Sequence, residues 1–154
     1  MKIHEYQARQ LLADAGIPVP SGTMVTSINA ANDAAKSLFD AGATLLVVKA
    51  QVHAGGRGKA GFVTLCRTPE EVDDAASFMF SNKMVSVQTG PEGLDVTKVL
   101  IADGVDIDKE YYLAITTDRG NGTNTLIASS EGGVEIETVA HENPDAIKTV
   151  SICP

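Results

Sequence analysis

The chain has 154 residues with 20 Asp plus Glu against 12 Lys plus Arg, a formal net charge of -8 at pH 7. A field of that sign repels extended polyanions, which argues against nucleic acid and acidic membrane surfaces as partners, and no stretch approaches the roughly 20 apolar residues of a membrane-spanning helix. Two cysteines, Cys66 and Cys153, stand far apart without metal-ligand spacing, which excludes a disulfide scaffold or zinc finger and fits a reducing cytosol.

The opening Met1-Lys-Ile-His-Glu-Tyr has an acid at position 5 and no apolar run after it, so it reads as a natural N-terminus and not as a secretory or transit signal. Residues 5 to 15 set Ala8, Leu11, Leu12 and Ala15 on one helical face, and Gly16, Pro18 and Pro20 end the helix. Gly22 to Thr26 is a short strand candidate. Ser27 is placed to cap a second helix whose Ile28, Ala31, Ala35, Leu38 and Phe39 share a face, stopping near Gly42. Thr44 to Val48 is an apolar, β-branched run of buried-strand length that delivers Lys49 to its end.

Strand character resumes at Gly61 to Cys66. Thr68-Pro69-Glu70-Glu71 offers an N-cap, a proline at the first helical position and a capping-box acid, opening a helix through Phe80. Met84 to Gln88 and Lys98 to Ala102 read as strands around the Gly90-Pro91-Glu92-Gly93 turn. Tyr111 to Thr117 and Thr125 to Ser129 form a hairpin across residues 118 to 124, which contain an Asn-Gly step. Glu131, Glu135 and Glu137 read as the exposed faces of a turn and strand, and Asn143-Pro144 starts a last short helix. The end, Lys148 to Pro154, reads as a strand formed and then stopped, as expected of a truncated chain.

The most informative stretch is Lys49-Ala-Gln-Val-His53-Ala-Gly-Gly-Arg57-Gly-Lys59. From Ala41 through Pro69 there is no Asp or Glu, and Lys49, Arg57, Lys59 and Arg67 stand unopposed by any local acid. Glycines without Cβ let backbone N–H groups converge on one anion while the cations supply charge, a chemistry suited to a nucleotide polyphosphate. The competing reading is a solvated Gly-rich hairpin with surface cations.

Gly56-Arg-Gly58-Lys-Ala-Gly61 satisfies the spacing of a dinucleotide fingerprint, but that fingerprint opens a helix, whereas Phe62-Val-Thr-Leu65 is a strand. A Walker A loop fails because Ala60 follows Lys59. The kinase glycine loop also matches, without the catalytic and metal-binding segments that a kinase needs downstream. What survives is strand, glycine flap, strand over a triphosphate, with Lys49 before the flap. His53 has no partner ligands in sequence and stays unassigned. His4-Glu5 is no zincin, since position 8 is Ala, and Asp103, Asp106, Asp108 and Glu110 lack the EF-hand spacing, leaving a solvated acidic turn or a carboxylate facing a ribose.

Four blocks in order, His4-Glu-Tyr-Gln-Ala8, Val48 to Gly61, Asp106-Ile-Asp-Lys-Glu-Tyr-Tyr-Leu113 and Glu131 to Glu137, resemble the N-terminal part of the succinate–CoA ligase β subunits, which are ATP-grasp enzymes. The resemblance implies an α+β ATP-grasp N-terminal region, a mixed sheet flanked by helices with a Gly-rich flap between two strands. It divides as an N-terminal subdomain over residues 1 to 102 and the start of a second lobe over 103 to 154. Lys49 then matches the ATP-phosphate lysine, Gly56-Arg57-Gly58 the phosphate loop, Glu110 the carboxylate near the sugar, and Ala102 and Val105 the adenine hinge. Many relatives carry a glutamate where this chain has Ala102, so a side-chain contact is lost there and a backbone contact is retained.

The resemblance implies a cytoplasmic bacterial ligase in which ATP phosphorylates a histidine of a partner α subunit. The phosphate passes to succinate, and CoA displaces it, leaving ADP, phosphate and succinyl-CoA. Magnesium ligands are expected beyond Pro154, so the chain by itself is expected to be inactive. Two alternatives remain: a malate–CoA ligase β subunit, and a non-catalytic module that binds a nucleotide or a partner.

Overall fold

The apolar run after Thr44 enters a four-stranded antiparallel sheet built from β1 (Gly22–Val25), β2 (Leu46–Ala50), β3 (Val63–Cys66) and β6 (Val99–Asp103), in the order β1-β6-β2-β3. The structure, a computed structural model, describes residues 2 to 134 and 136 to 152. The chain forms two compact units, Met1–Val105 and Asp106–Pro154. Each has its own sheet.

In the first unit, β1 and β2 both run antiparallel to β6, so they are parallel to one another with β6 inserted between them. The sheet expected to be mixed is therefore antiparallel at every pairing among the described residues. The crossover from β1 to β2 runs through α2 (Ile28–Asp40), and α3 (Pro69–Ser81) follows β3. Small residues let these two helices pack closely: Ala31, Ala34 and Ala35 of α2 and Ala75 and Ala76 of α3 are buried. Asn32 donates to Asp73 at 2.5 Å across that seam. Leu46, Val48, Val72, Met79, Met84, Val99 and Ile101 are fully excluded from water and form the core beneath the helices.

Both helix starts are set by their predicted caps. Ser27 Oγ accepts from Ala30 N at 3.3 Å. Thr68 Oγ1 accepts from Glu71 N at 3.2 Å, and the Glu71 carboxylate reaches back to Arg67 N at 2.5 Å. Cys66 lies beside this cap, and burial, aided by the Glu71 charge, pushes its thiol up to about 11, so it stays protonated at neutral pH and is a core residue, not a nucleophile.

The opening helix α1 (Glu5–Asp14) forms as expected, but none of its residues is buried, and Leu11 and Leu12 stay 62% and 43% exposed. Its apolar side borders an open groove of about 960 Å³ that it shares with Val19, Met24, Leu38 and Leu100. The strand expected over Met84 to Gln88 reduces to β4 (Lys83–Met84), paired with β5 (Leu94–Asp95). Beyond it Ser86 N donates to Thr89 Oγ1 at 2.8 Å and Thr89 N donates to Ser86 O at 3.1 Å. Serine and threonine oxygens there compete for the backbone that a ladder would need.

The second unit is a three-stranded antiparallel sheet, β7 (Tyr112–Asp118), β8 (Thr123–Ser129) and β9 (Ile147–Ile152). The hairpin pairs as far as Asp118 and Thr123, so its loop is shorter than expected. Asp118 Oδ1 accepts from Gly120 N at 2.9 Å and from Asn121 N at 3.2 Å, which tightens the turn. Where a strand was expected around Glu137, the chain forms α4 (Ile136–Glu142), whose Val139 is buried, followed by a 3-10 turn at Pro144–Ala146. Helical spacing of Ile136 and Val139 prevails there over the alternation of glutamates. Glu135, Cys153 and Pro154 lie outside the described residues.

Candidate functional site

Alternation along β2 buries Leu46, Val48 and Ala50 under the helices and turns Val47 and Lys49 to the other face of the sheet. The register aligns Lys49 with Leu100 on β6 and Val63 on β3, and Leu100 with Met24 on β1. Lys49 is thus a cation fixed at the end of a rigid strand beside an apolar row. A single loop of residues 51 to 62 then joins β2 to β3.

That loop is held at several points. Ala50 N donates to Phe62 O at 3.0 Å, closing the loop where it began. Gln51 is buried at 3% exposure, donates from its backbone N to Lys98 O at 2.9 Å, and accepts at its side-chain Oε1 from Tyr6 N at 3.1 Å. Gly55 N donates to Gln88 Oε1 at 2.7 Å. Residues 56 to 62 make one tight turn in which the carbonyls of Gly56, Arg57 and Gly58 accept from Ala60 N, Phe62 N and Gly61 N. These bonds use the carbonyls of Gly56, Arg57 and Gly58 within the turn. Phe62, 3% exposed, anchors the far end against the Phe78 ring with centroids 5.2 Å apart.

Lys49 and Arg57 meet on one carboxylate that the sequence reading did not assign. Glu5 Oε1 accepts from Lys49 Nζ at 3.0 Å and Oε2 accepts from Arg57 Nη2 at 2.8 Å, while Arg9 Nη1 lies 3.9 Å from Oε1. Arg57 Nη1 donates in addition to Ala50 O at 2.8 Å. All three side chains keep only about a quarter of their surface: 24% for Glu5, 26% for Lys49 and 25% for Arg57. Burial works to raise the Glu5 carboxyl, but the Lys49 and Arg57 contacts prevail and hold it below its usual value.

The sign of that shift fixes a pH dependence. A depressed carboxyl contributes stability that is full above its unfolded value of 4.5 and is lost as pH falls through the lower native value. Glu5→Gln is therefore expected to lose stability at neutral pH and to lose less than the parent on acidification below 4.5. Urea midpoints of the two proteins measured across that range check this; parallel pH profiles would contradict it.

Beside Glu5, the rings of His4 and His53 stack with centroids 3.9 Å apart and planes 14° from parallel. Burial first, then the charges of His53, Lys98 and Arg57, keep His4 below its ordinary value, so its ring favours the neutral form. His53, unassigned in sequence, is a stacking partner in this structure.

Gly56 sits at φ +79° and a Cβ there would lie 3.3 Å from Ser86 Cβ, whereas a Cβ on Gly58 meets nothing within 4 Å. The two glycines therefore do different things. Gly56→Ala is expected to destabilise the loop by about 1 kcal/mol or more. Gly58→Ala is expected to stay within about 0.5 kcal/mol of the parent in unfolding experiments while weakening polyphosphate binding, because only a bound anion would crowd its Cβ. Equal nucleotide affinity for Gly58→Ala and the parent would contradict a close approach at that position.

The other assigned residues lie elsewhere. Ala102, 1% exposed, sits within β6 between Gly22 of β1 and Val47 of β2. Its side chain is spent on packing. Past it, Asp103 N donates to Ser21 O and Gly104 N to Leu45 O, both at 2.8 Å, and Val105 follows at 53% exposure. Glu110 is an exposed residue of the second unit, where its carbonyl accepts from Gly132 N at 3.2 Å. Gly133, at φ +71°, packs directly on the Glu110 carboxylate, and a Cβ at Gly132 would lie 2.6 Å from Tyr111 N. The Gly132-Gly133 pair is thus a cradle for the Glu110 segment. Among the described residues no group of three or more His, Cys, Asp or Glu is arranged to hold a metal ion, and no helix is long and apolar enough to cross a membrane.

Residues 2 to 154 match the family model described as ATP-grasp domain. The chain is 50% identical over 155 aligned residues to the succinate–CoA ligase [ADP-forming] subunit beta of Salinibacter ruber, covering 100% of this chain and 40% of that protein. The protein of the same name from Chlorobaculum parvum is 48% identical, again over 100% of this chain and 40% of the relative. The chain thus spans about 40% of the length of these relatives. Among solved structures, an acetyl-coenzyme A synthetase from Ca. Korarchaeum cryptofilum, in complex with coenzyme A and Ca-AMPCP, superposes with a TM-score of 0.73 at 19% identity, covering 96% of this chain and 59% of that one. The ATP citrate lyase of Methanothrix soehngenii, in complex with citrate and coenzyme A, gives 0.70 at 22% identity, covering 98% and 34%. At such identities these two likenesses speak for the fold.

Proposed function

The chain belongs to the ATP-grasp domain family, and on that footing we propose that it is the nucleotide-gripping N-terminal part of the β subunit of an ADP-forming succinate–CoA ligase. The observation that carries the reading is the half-identity to such subunits along the whole chain, joined to a cation pair and glycine turn built as a polyphosphate seat. Lys49 and Arg57 bind the phosphate oxygens of ATP, and the backbone N–H groups of Gly56 to Gly58 add dipoles on the same anion. Lys49, on a strand, and Arg57, tied to Ala50 O, are fixed before the nucleotide arrives. Little reorganisation is left for the transfer step.

In this reading Ala102 and Val105 present backbone groups to the base and Glu110 approaches the ribose. Among the described residues none are grouped to hold a magnesium ion, and in this reading the ion that accompanies ATP draws its ligands from the remaining length of a subunit of which the chain spans about 40%. The γ-phosphoryl of ATP moves to a histidine of an α-subunit partner as ADP leaves. A succinate carboxylate then takes the phosphoryl group, and the CoA thiol displaces inorganic phosphate to form the thioester. The working enzyme is a heteromer in the cytoplasm.

The test is to co-express the full-length subunit with its α partner and supply ATP labelled in the γ position. Acid-labile label on the partner, discharged by succinate with CoA, is the expected result. Discharge by malate in preference to succinate would move the assignment to malate–CoA ligase. Absence of label with retained nucleotide binding would leave a non-catalytic module and overturn the proposal.

A further inference from the structure

A carboxylate held between phosphate-seat cations is an odd choice, since it carries the sign of charge the seat is meant to attract. Glu5 lies 44 residues before Lys49 and 52 before Arg57, so the fold brings it there. Each oxygen holds a different cation, Oε1 that of Lys49 and Oε2 that of Arg57. Two roles are physically open to such a group. It could stand in for phosphate and leave when nucleotide arrives, or it could stay and set where the cations point.

Geometry favours staying. Lys49 has three donors and Arg57 five, of which Glu5 takes one from each and Ala50 O takes another from Arg57. Donors remain on both for an anion. Glu5 opens α1, and its neighbours are pinned there: Tyr6 N donates to the buried Gln51, and His4 N donates to Gln7 Oε1 at 2.9 Å. The backbone that carries Glu5 is thus tied to a residue that is itself 3% exposed, and its carboxylate could leave only by rotating away from two ion pairs, to Lys49 at 3.0 Å and Arg57 at 2.8 Å. Two cations gathered on one partly buried spot also repel, and a shared carboxylate offsets that repulsion.

We propose that Glu5 is a positioning residue for polyphosphate binding: it remains in place and fixes the spacing and direction of Lys49 and Arg57. The inference rests on the nucleotide reading of this site. It acts through the cations alone, so it concerns the phosphates of a nucleotide and not its nucleoside.

The experiment uses the full-length subunit assembled with its partner, the variant Glu5→Gln, and two probes, ADP and adenosine. Affinity for ADP is expected to fall about tenfold, the equivalent of ~1.4 kcal/mol, while affinity for adenosine stays unchanged. Tighter ADP binding by Glu5→Gln would reveal a stand-in that nucleotide displaces and overturn the proposal. Unchanged ADP affinity, or equal losses for both probes, would overturn it as well. If Glu5→Gln fails to assemble, Glu5→Asp, which keeps the charge and shortens the reach, is read by the same ratio of ADP to adenosine affinity. Lys49→Ala run in parallel separates two failures: if it leaves ADP affinity unmoved, the nucleotide reading itself falls, whereas loss with Lys49→Ala and none with Glu5→Gln defeats this inference alone.

Discussion

Lys49→Ala in the full-length subunit is expected to slow phosphorylation of the partner by about a hundred- to a thousandfold, the usual cost of removing one preorganised donor from developing phosphoryl charge. The size follows from placement. Lys49 is carried by a strand paired on both sides, so its ammonium is delivered to one position, with Glu5 Oε1 at 3.0 Å as its fixed reference. A mobile surface lysine would contribute a screened charge of much smaller effect. Removing it also leaves Glu5 with one fewer close cation, so a modest stability loss accompanies the kinetic one. Lys49→Arg separates the two, since it retains charge but replaces a compact ammonium with a planar fork too large for the same spot. Rate measurements with saturating ATP, read beside thermal midpoints for each variant, check the expectation. Turnover of Lys49→Ala within a few fold of the parent would refute the assigned role.

How much of this was legible in sequence depends on the range over which each feature is determined. The proposed phosphate turn is local: Lys49 lies near the end of β2, Gly56, Arg57 and Gly58 follow within the one loop that joins β2 to β3, and strand, turn, strand was readable from the apolar run and the glycines. The caps at Ser27 and Thr68 are local too, and each bonds the backbone N–H three residues on. Glu5 and Gln88 were invisible as site residues because their contacts with Lys49, Arg57 and Gly55 span 33 to 52 residues. One signal did point to Glu5. A window without any acid from Ala41 to Pro69 leaves its cations to find a carboxylate from elsewhere in the chain. Where local patterns misled, a competing local force had the stronger hold: Ser86 and Thr89 close a turn on a strand-like run, and Ile136 and Val139 impose a helix on alternating glutamates. The side-chain burial of Ala102 was not readable either, because it follows from β6 being inserted between β1 and β2, a matter of topology.

That same insertion makes Ile101→Ala the substitution with the largest expected effect on stability, about 2 to 5 kcal/mol from lost burial plus the cavity left behind. Ile101 is fully excluded from water and pairs with Thr23 on β1 and Val48 on β2. A hole beneath a strand hydrogen-bonded along both edges cannot close by moving that strand, so little of the cost is recovered by relaxation. Set against a domain stability of roughly 5 to 15 kcal/mol, the loss takes a large share. It should also reach the site, because the neighbouring residue of β6, Leu100, is the register partner of Lys49. Ile101→Val, which removes one methyl group, is expected to cost about 0.5 to 1.5 kcal/mol. Leu113→Ala, at a position 69% exposed on β7, is expected to stay within about 0.5 kcal/mol. Urea unfolding, with slopes compared so that only midpoints are read as stability, orders the three. An Ile101→Ala midpoint close to that of Leu113→Ala would mean that β6 is not the strand around which the first unit is built, and the rigid placement of Lys49 would lose its structural cause.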